Sequence, residues 1–147
     1  MNDFTRDDVY YVCTMIEYTA RKTKNHRGYL VSRLGIDGIR KQLKYASTNH
    51  SLSFEQVADE WVEDYSIEEG TFDTVSECRY ELPSETSIGK VYLNLIENCG
   101  KELPLEEKIY QVFSSFISDA ISDFNSNIYY SNPGYLLCSY EEGKLLA

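Results

Sequence analysis

Histidine, tryptophan and proline are scarce in this 147-residue chain, at two, one and three residues. No apolar run approaches the roughly eighteen residues needed to cross a bilayer, so no membrane span and no membrane partner are expected. The first residues, Met1 to Asp8, are acidic and lack an apolar stretch followed by small residues, which excludes a secretory signal and leads to a cytoplasmic expectation. Cys13, Cys78, Cys99 and Cys138 stand 65, 21 and 39 residues apart, without the close pairs of zinc or redox motifs. In a reducing compartment they read as small buried hydrophobes.

Motifs of chemistry are equally sparse. There is no nucleophile elbow of the Gly-x-Ser-x-Gly type, no phosphate loop ending in Gly-Lys-Ser/Thr, and no dinucleotide fingerprint. His26 and His50 fall in predicted connections and not at paired ligand spacing, so neither a metal nor any other cofactor is expected. Asp59, Glu60, Glu63 and Asp64 share a predicted helix but face no Glu-x-x-His partner, and they read as a solvated face. Asp123-Phe-Asn-Ser-Asn127 begins like a calcium loop, yet Ile128 stands where that loop turns on glycine and Gly134 where it needs a glutamate. No catalytic residue is assigned.

What the chain does contain is apolar side chains at helical spacing. Val9, Val12, Cys13, Ile16 and Ala20 line one face from about Thr5 to Lys22, with Thr5 and Asp8 as a capping box. Two shorter helices, Gly28 to Leu34 and Asp37 to Ala46, are expected around a break at Gly35, with Leu30, Leu34, Ile39 and Leu43 inward. A further helix starts at Ser53 with Phe54, Val57, Ala58, Trp61 and Tyr65 inward. Residues 66–83 lose periodicity and read as an irregular loop between two helical halves, with Arg79 to Leu82 as a short extended piece. The next helix opens near Ser84 or Ser87, buries Ile88, Val91, Tyr92, Leu95, Ile96 and Cys99, and stops at Gly100. The widest apolar face follows Pro104: Leu105, Ile109, Val112, Phe113, Phe116, Ile117, Ala120, Ile121 and Phe124. From Pro133 to Glu142 a last helix, capped by Asn132 and closed by Gly143, is favoured over a hairpin. The expected fold is one all-α domain over residues 1–147, an orthogonal bundle of five to seven helices around a central helix at about 104–124.

Charge is lopsided. The chain carries 14 basic and 24 acidic residues, for a net −10. Arg21, Lys22, Lys24, Arg27, Arg33, Arg40, Lys41 and Lys44 face a single acid, Asp37, in their interval, giving +7 there and −17 elsewhere. These eight residues form the candidate surface for a protein or nucleic-acid partner. The segment 29–44 has a helix-turn-helix order, with Arg40, Lys41 and Lys44 on the second helix, which admits a DNA-binding regulator. Gly35-Ile-Asp-Gly38 echoes the Gly-x-x-Gly clamp of KH domains, although Asp37 would repel phosphate. The opposed charges also admit a homodimer. The thirteen tyrosines fall on or beside apolar stripes and suit core edges and protein interfaces.

Ile16-Glu-Tyr, the basic stretch, Gly28-Tyr-Leu-Val-Ser-Arg-Leu-Gly-Ile-Asp37 and Val57-Ala-Asp-Glu-Trp-Val-Glu-Asp-Tyr65 together resemble small uncharacterised helical domains of Gram-positive gut bacteria, over roughly residues 9–65. The resemblance implies a bacterial cytosolic helical module and no particular chemistry. The functional expectation is a non-enzymatic interaction or regulatory module, with a DNA-binding regulator and an enzyme of unrecognised type as alternatives.

Overall fold

Helix starts are set by side chains that satisfy the free amides of the first turn. In the computed structural model, which describes residues 4–147, Thr5 Oγ1 accepts from the Asp8 amide at 3.2 Å while the Asp8 carboxylate accepts from the Thr5 amide at 2.9 Å. This reciprocal box opens α1 (Arg6–Thr23), and left-handed Lys24 closes it. The second helix, α2 (Arg27–Asn49), runs through both expected short helices, with Gly35 at φ 69°, ψ 171° breaking the helical path between them. Ser53 caps α3 (Phe54–Asp64) by accepting from the Gln56 amide. Within the irregular 66–83 stretch, Asp73 caps a single turn, α4 (Thr74–Glu77), and Arg79 to Leu82 forms no strand. Ser84 caps α5 (Glu85–Asn98).

After Pro104 the structure departs from the expected single helix. Two helices follow, α6 (Leu105–Ser114) and α7 (Phe116–Ser122), separated by extended Ser115 at φ −85°, ψ 171°. Ser115 serves both ends, its hydroxyl donating to the Val112 carbonyl at 2.7 Å and accepting from the Ile117 amide at 3.3 Å. Ser118 adds a 2.8 Å bond from its hydroxyl to the Phe113 carbonyl. Serine hydroxyls thus give the backbone an alternative to helical bonds that apolar periodicity does not reveal. Ile109, Val112, Phe113, Ile117, Ile121 and Phe124 still point inward, and Phe116 is half-buried. A 3-10 turn (Ile128–Tyr130) leads to α8 (Pro133–Glu142), where Asn132 accepts from the Gly134 amide and Gly143 ends the helix at φ 82°. The hairpin alternative for this region does not form.

The described residues contain helices and no strand, so the chain is an all-α bundle. Its middle, however, is α1 and not the stretch after Pro104. Twelve of the eighteen α1 residues are buried, against α2 on one side and α3 and α5 on others. Apolar spacing displays only one α1 face because Thr14, Glu17 and Thr19, polar in sequence, are also inside. Gly89 of α5 makes the close approach possible: a Cβ there would meet the Thr14 backbone at 3.1 Å. Tyr92, stacked on Phe113 with ring centroids 3.9 Å apart, joins α5 to α6 in the same core. Cys13 and Cys99 are buried hydrophobes, Cys78 is half-buried, and Cys138 is exposed, contrary to expectation for that thiol. Among the described residues no helix is long and apolar enough to cross a membrane.

Candidate functional site

The basic segment 21–44 does not form one surface. Arg21 and Arg27 are buried and converge on Glu17, which has no exposed side-chain area. Arg27 grips it with two bonds, and Arg21 adds a third at 2.7 Å. Arg27 also donates to the Asn25 carbonyl at 3.1 Å and to the Thr74 hydroxyl at 3.2 Å, while Arg21 reaches the Pro83 carbonyl at 2.8 Å. Burial alone would push the Glu17 carboxyl up, but the two guanidiniums outweigh it and hold the group below its ordinary value. These two arginines serve the interior: they tie α1 and α2 to the 74–83 segment.

Four of the remaining six have structural partners or lie against a ring. Lys22 bonds Asp59 of α3 at 2.7 Å. Arg40, in the helix that would read DNA, is held between Asp37 at 2.8 Å and Glu106 of α6 at 2.7 Å. Arg33 donates to the Tyr65 carbonyl at 3.3 Å, and the Lys44 ammonium lies 5.7 Å from the Tyr45 ring. Lys24 is half-buried at the end of α1, and Lys41 is exposed beside Asp37 and Asp64. Of the eight basic residues that stood out in sequence, four (Arg21, Lys22, Arg27 and Arg40) are internal or paired with a carboxylate.

A carboxylate-lined concavity lies elsewhere, beside α4 and α7. Three tethers build it. The Gly70 and Phe72 amides donate to the Thr23 and Lys24 carbonyls, both at 2.8 Å, which fixes the 70–72 chain to the end of α1. Asn125, just past α7, accepts from the Arg79 amide at 2.7 Å and donates to the Glu77 carbonyl at 2.9 Å. The Asp123 carboxylate in turn accepts from the Asn125 amide at 3.1 Å. The Asp123 to Asn127 stretch that opens like a calcium loop is therefore a structural turn that fastens α4 to α7.

Between these elements opens a cleft of about 470 Å³. Asp73, Glu77, Asp119 and Asp123 line it, with His26 as the sole basic side chain, and Phe72, Thr74, Ser122 and Phe124 contribute to its walls. His26 Nδ1 lies 2.8 Å from Asp119 Oδ1, and its ring stacks on Phe72 with centroids 3.8 Å apart and planes 19° from parallel. Bonds from the Ser76 side chain and amide hold the Asp73 carboxyl below its usual value, so it is ionised at neutral pH. Ser122 is 3% exposed, and its hydroxyl has no hydrogen-bond partner among the described residues. Among the described residues no hydrogen bond joins Ser122 to His26. Among the described residues no group of three or more His, Cys, Asp and Glu side chains is placed to hold a metal ion.

Of the cleft residues, the sequence draws attention only to His26 and to the Asp123 to Asn127 stretch, and it assigns a site to neither. The lining positions at 26, 72–77 and 119–125 are far apart in the chain, and the Asn125 tether links the last two groups. His50 sits apart from the cleft chemistry, with its ring 4.4 Å from that of Tyr11. No family model matches the chain, and searches of curated proteins and of solved structures yield no match.

Proposed function

We propose that this chain is a non-enzymatic interaction module of the bacterial cytosol that docks a protein partner at the acidic cleft between α4 and α7. The observation that carries the reading is the cleft itself, in which four carboxylates border the stacked His26 and Phe72 rings. A concavity lined by one sign of charge with apolar walls focuses its field outward and favours an oppositely charged partner. The cleft volume also falls in the range of ligand-receiving sites.

The alternatives draw less support. A DNA-reading role for residues 37–44 would need Arg40 free, and Arg40 is occupied by Asp37 and Glu106. An enzyme using Ser122 as nucleophile would need its hydroxyl held beside a base, and among the described residues that hydroxyl is bonded to none. The test is affinity capture from the native host at low and moderate salt, with wild-type protein and an Asp119→Asn/Asp123→Asn variant. A stoichiometric partner retained by the wild type and lost by the variant is the expected result. No stoichiometric partner under either condition overturns the proposal. Light scattering across ionic strength separates a foreign partner from a second copy of this chain.

A further inference from the structure

We infer that the outer face of α8 is a self-association surface, on which a second copy of this chain packs its own α8 antiparallel. The inference concerns a different element of the fold from the cleft and does not rest on the docking role given to it.

Composition and placement define the surface. Phe124 to Tyr140 is the longest interval of the chain without an Asp, Glu, Lys, Arg or His, although charged residues make up 26% of the whole. It also holds four of the thirteen tyrosines. Depletion of charge together with enrichment of tyrosine is the composition of a protein interface core. On α8 the interior takes only Leu136 and Ser139. Opposite them the helix presents Gly134, Leu137, Cys138 and Glu141, at offsets 0, 3, 4 and 7, with the leucine half-buried and the other three exposed. Glycine in a helix costs stability that alanine would supply. Yet among the described residues a Cβ at Gly134 would meet only its cap oxygen, Asn132 Oδ1, at 3.1 Å. The room that Gly134 leaves lies outside its own chain.

Charge complementarity selects the occupant. An antiparallel pair with its two-fold axis between Leu137 and Cys138 sets Glu141 of each copy against Gly134 of the other, at the positive end of that copy's α8 dipole. A parallel pair would bring the two Glu141 carboxylates together instead. The same axis exchanges the flanks: Tyr130, 68% exposed just before α8, and Leu145, 41% exposed just after it, come to the same end of the pair. A second copy therefore carries the complement of every feature on this face. Because the ten residues of α8 are only about 15 Å long, the contact is smaller than that of an obligate dimer, and a reversible, concentration-dependent association is expected. Its uncharged middle makes it persist as salt rises, unlike a pairing of opposed charged faces.

The experiment is sedimentation velocity of the full chain under reducing conditions, over a concentration series reaching the millimolar range, at low and at high salt. A monomer–dimer equilibrium that survives high salt is expected, and this measurement needs no variant to fold. Cys138→Glu changes a position exposed in the single chain, so its circular dichroism should match the wild type. It should weaken dimerisation by about tenfold or more, since it sets like charges beside the axis in a desolvated contact. Glu141→Lys should weaken it by about two- to fivefold, by placing a cation at the positive end of the second helix. A short bismaleimide should join two copies of the Cys78→Ser protein through Cys138, because Cys13 and Cys99 are buried. A chain that stays monomeric throughout the series overturns the inference. So does a dimer that Cys138→Glu leaves intact, one that yields no Cys138 cross-link, or one that salt dissolves, the last being a pairing of opposed charges.

Discussion

Arg27 holds Glu17 through two parallel bonds, Nε to Oε1 at 2.9 Å and Nη2 to Oε2 at 2.6 Å, with both side chains wholly shielded from solvent. A carboxylate and a guanidinium removed from water are stable only while each has the other, so losing one partner of this link between α1 and α2 is costly. Arg21 shares the same carboxylate, which makes Glu17 the hub of the interior polar network.

Glu17→Ala leaves the wholly buried Arg27 with no counter-charge and Arg21 with only Glu85 at 3.7 Å, and it is expected to destabilise the fold by about 3–5 kcal/mol, read from urea unfolding. Replacing Glu17 and Arg27 together with leucine and methionine should cost less than the single change, because the wholly buried Arg27 charge leaves with its partner while Arg21 retains Glu85 at 3.7 Å. A double variant whose loss equals the sum of the two single losses would show that the pair is uncoupled.

Stability should fall in acid through the same residue. The folded Glu17 carboxyl lies below its ordinary value of 4.5, so its contribution is fully present above that value. The contribution is lost as pH drops from there through the lower folded value, because the unfolded chain takes up the proton first. Urea midpoints measured from neutral pH downward should decline more steeply for the wild type than for Glu17→Gln, which has no proton to gain. Parallel curves would remove Glu17 as a source of acid sensitivity.

Two glycines should respond to alanine for different reasons. At Gly35 an added Cβ would meet only open space, but φ is 69° with ψ at 171°, so Gly35→Ala is expected to cost about 1–3 kcal/mol through backbone strain alone. At Gly89 the backbone is helical and the obstacle is Thr14, so Gly89→Ala should cost about 1–3 kcal/mol through forced separation of α1 and α5. Thr14→Ser paired with Gly89→Ala keeps both the hydroxyl oxygen and the Thr14 backbone in the way and should restore little, whereas no Thr14 change should alter Gly35→Ala. Urea unfolding of the single and paired variants checks both expectations.

Random duplex and host genomic fragments should produce no retardation with this protein in gel-shift series, even at low salt where phosphate contacts are strongest. Arg40→Glu should instead act on the fold, since it sets a third carboxylate between Asp37 and Glu106. Salt-sensitive duplex binding that Arg40→Glu/Lys41→Glu abolishes would return residues 37–44 to the role of a reading helix.

Much of the architecture is legible along the chain because its causes are local. Thr5 with Asp8, Ser53, Ser84 and the Asn132 to Gly143 interval mark helix ends through bonds that span only a few residues. Gly35 marks a break because only its own dihedrals are involved. The division at Ser115 escaped the apolar pattern, since Ile117 and Ile121 remain inward on both readings and the pattern is blind to a hydroxyl that caps twice. Cys138 shows the same limit in reverse: its type favours burial, and its position on α8 leaves it in solvent.

By itself, then, the amino-acid order determined an all-helical chain and most of its helix boundaries, because hydrogen bonds within a turn and apolar repeats of about 3.6 residues depend on near neighbours. Tertiary packing alone decided that α1 is the middle of the bundle, that Arg21 and Arg27 are interior, and that His26, Asp73 and Asp119 border one cleft. Each of those outcomes is a pairing between residues distant in the chain, and net charge over an interval says nothing about which partner a side chain meets across space.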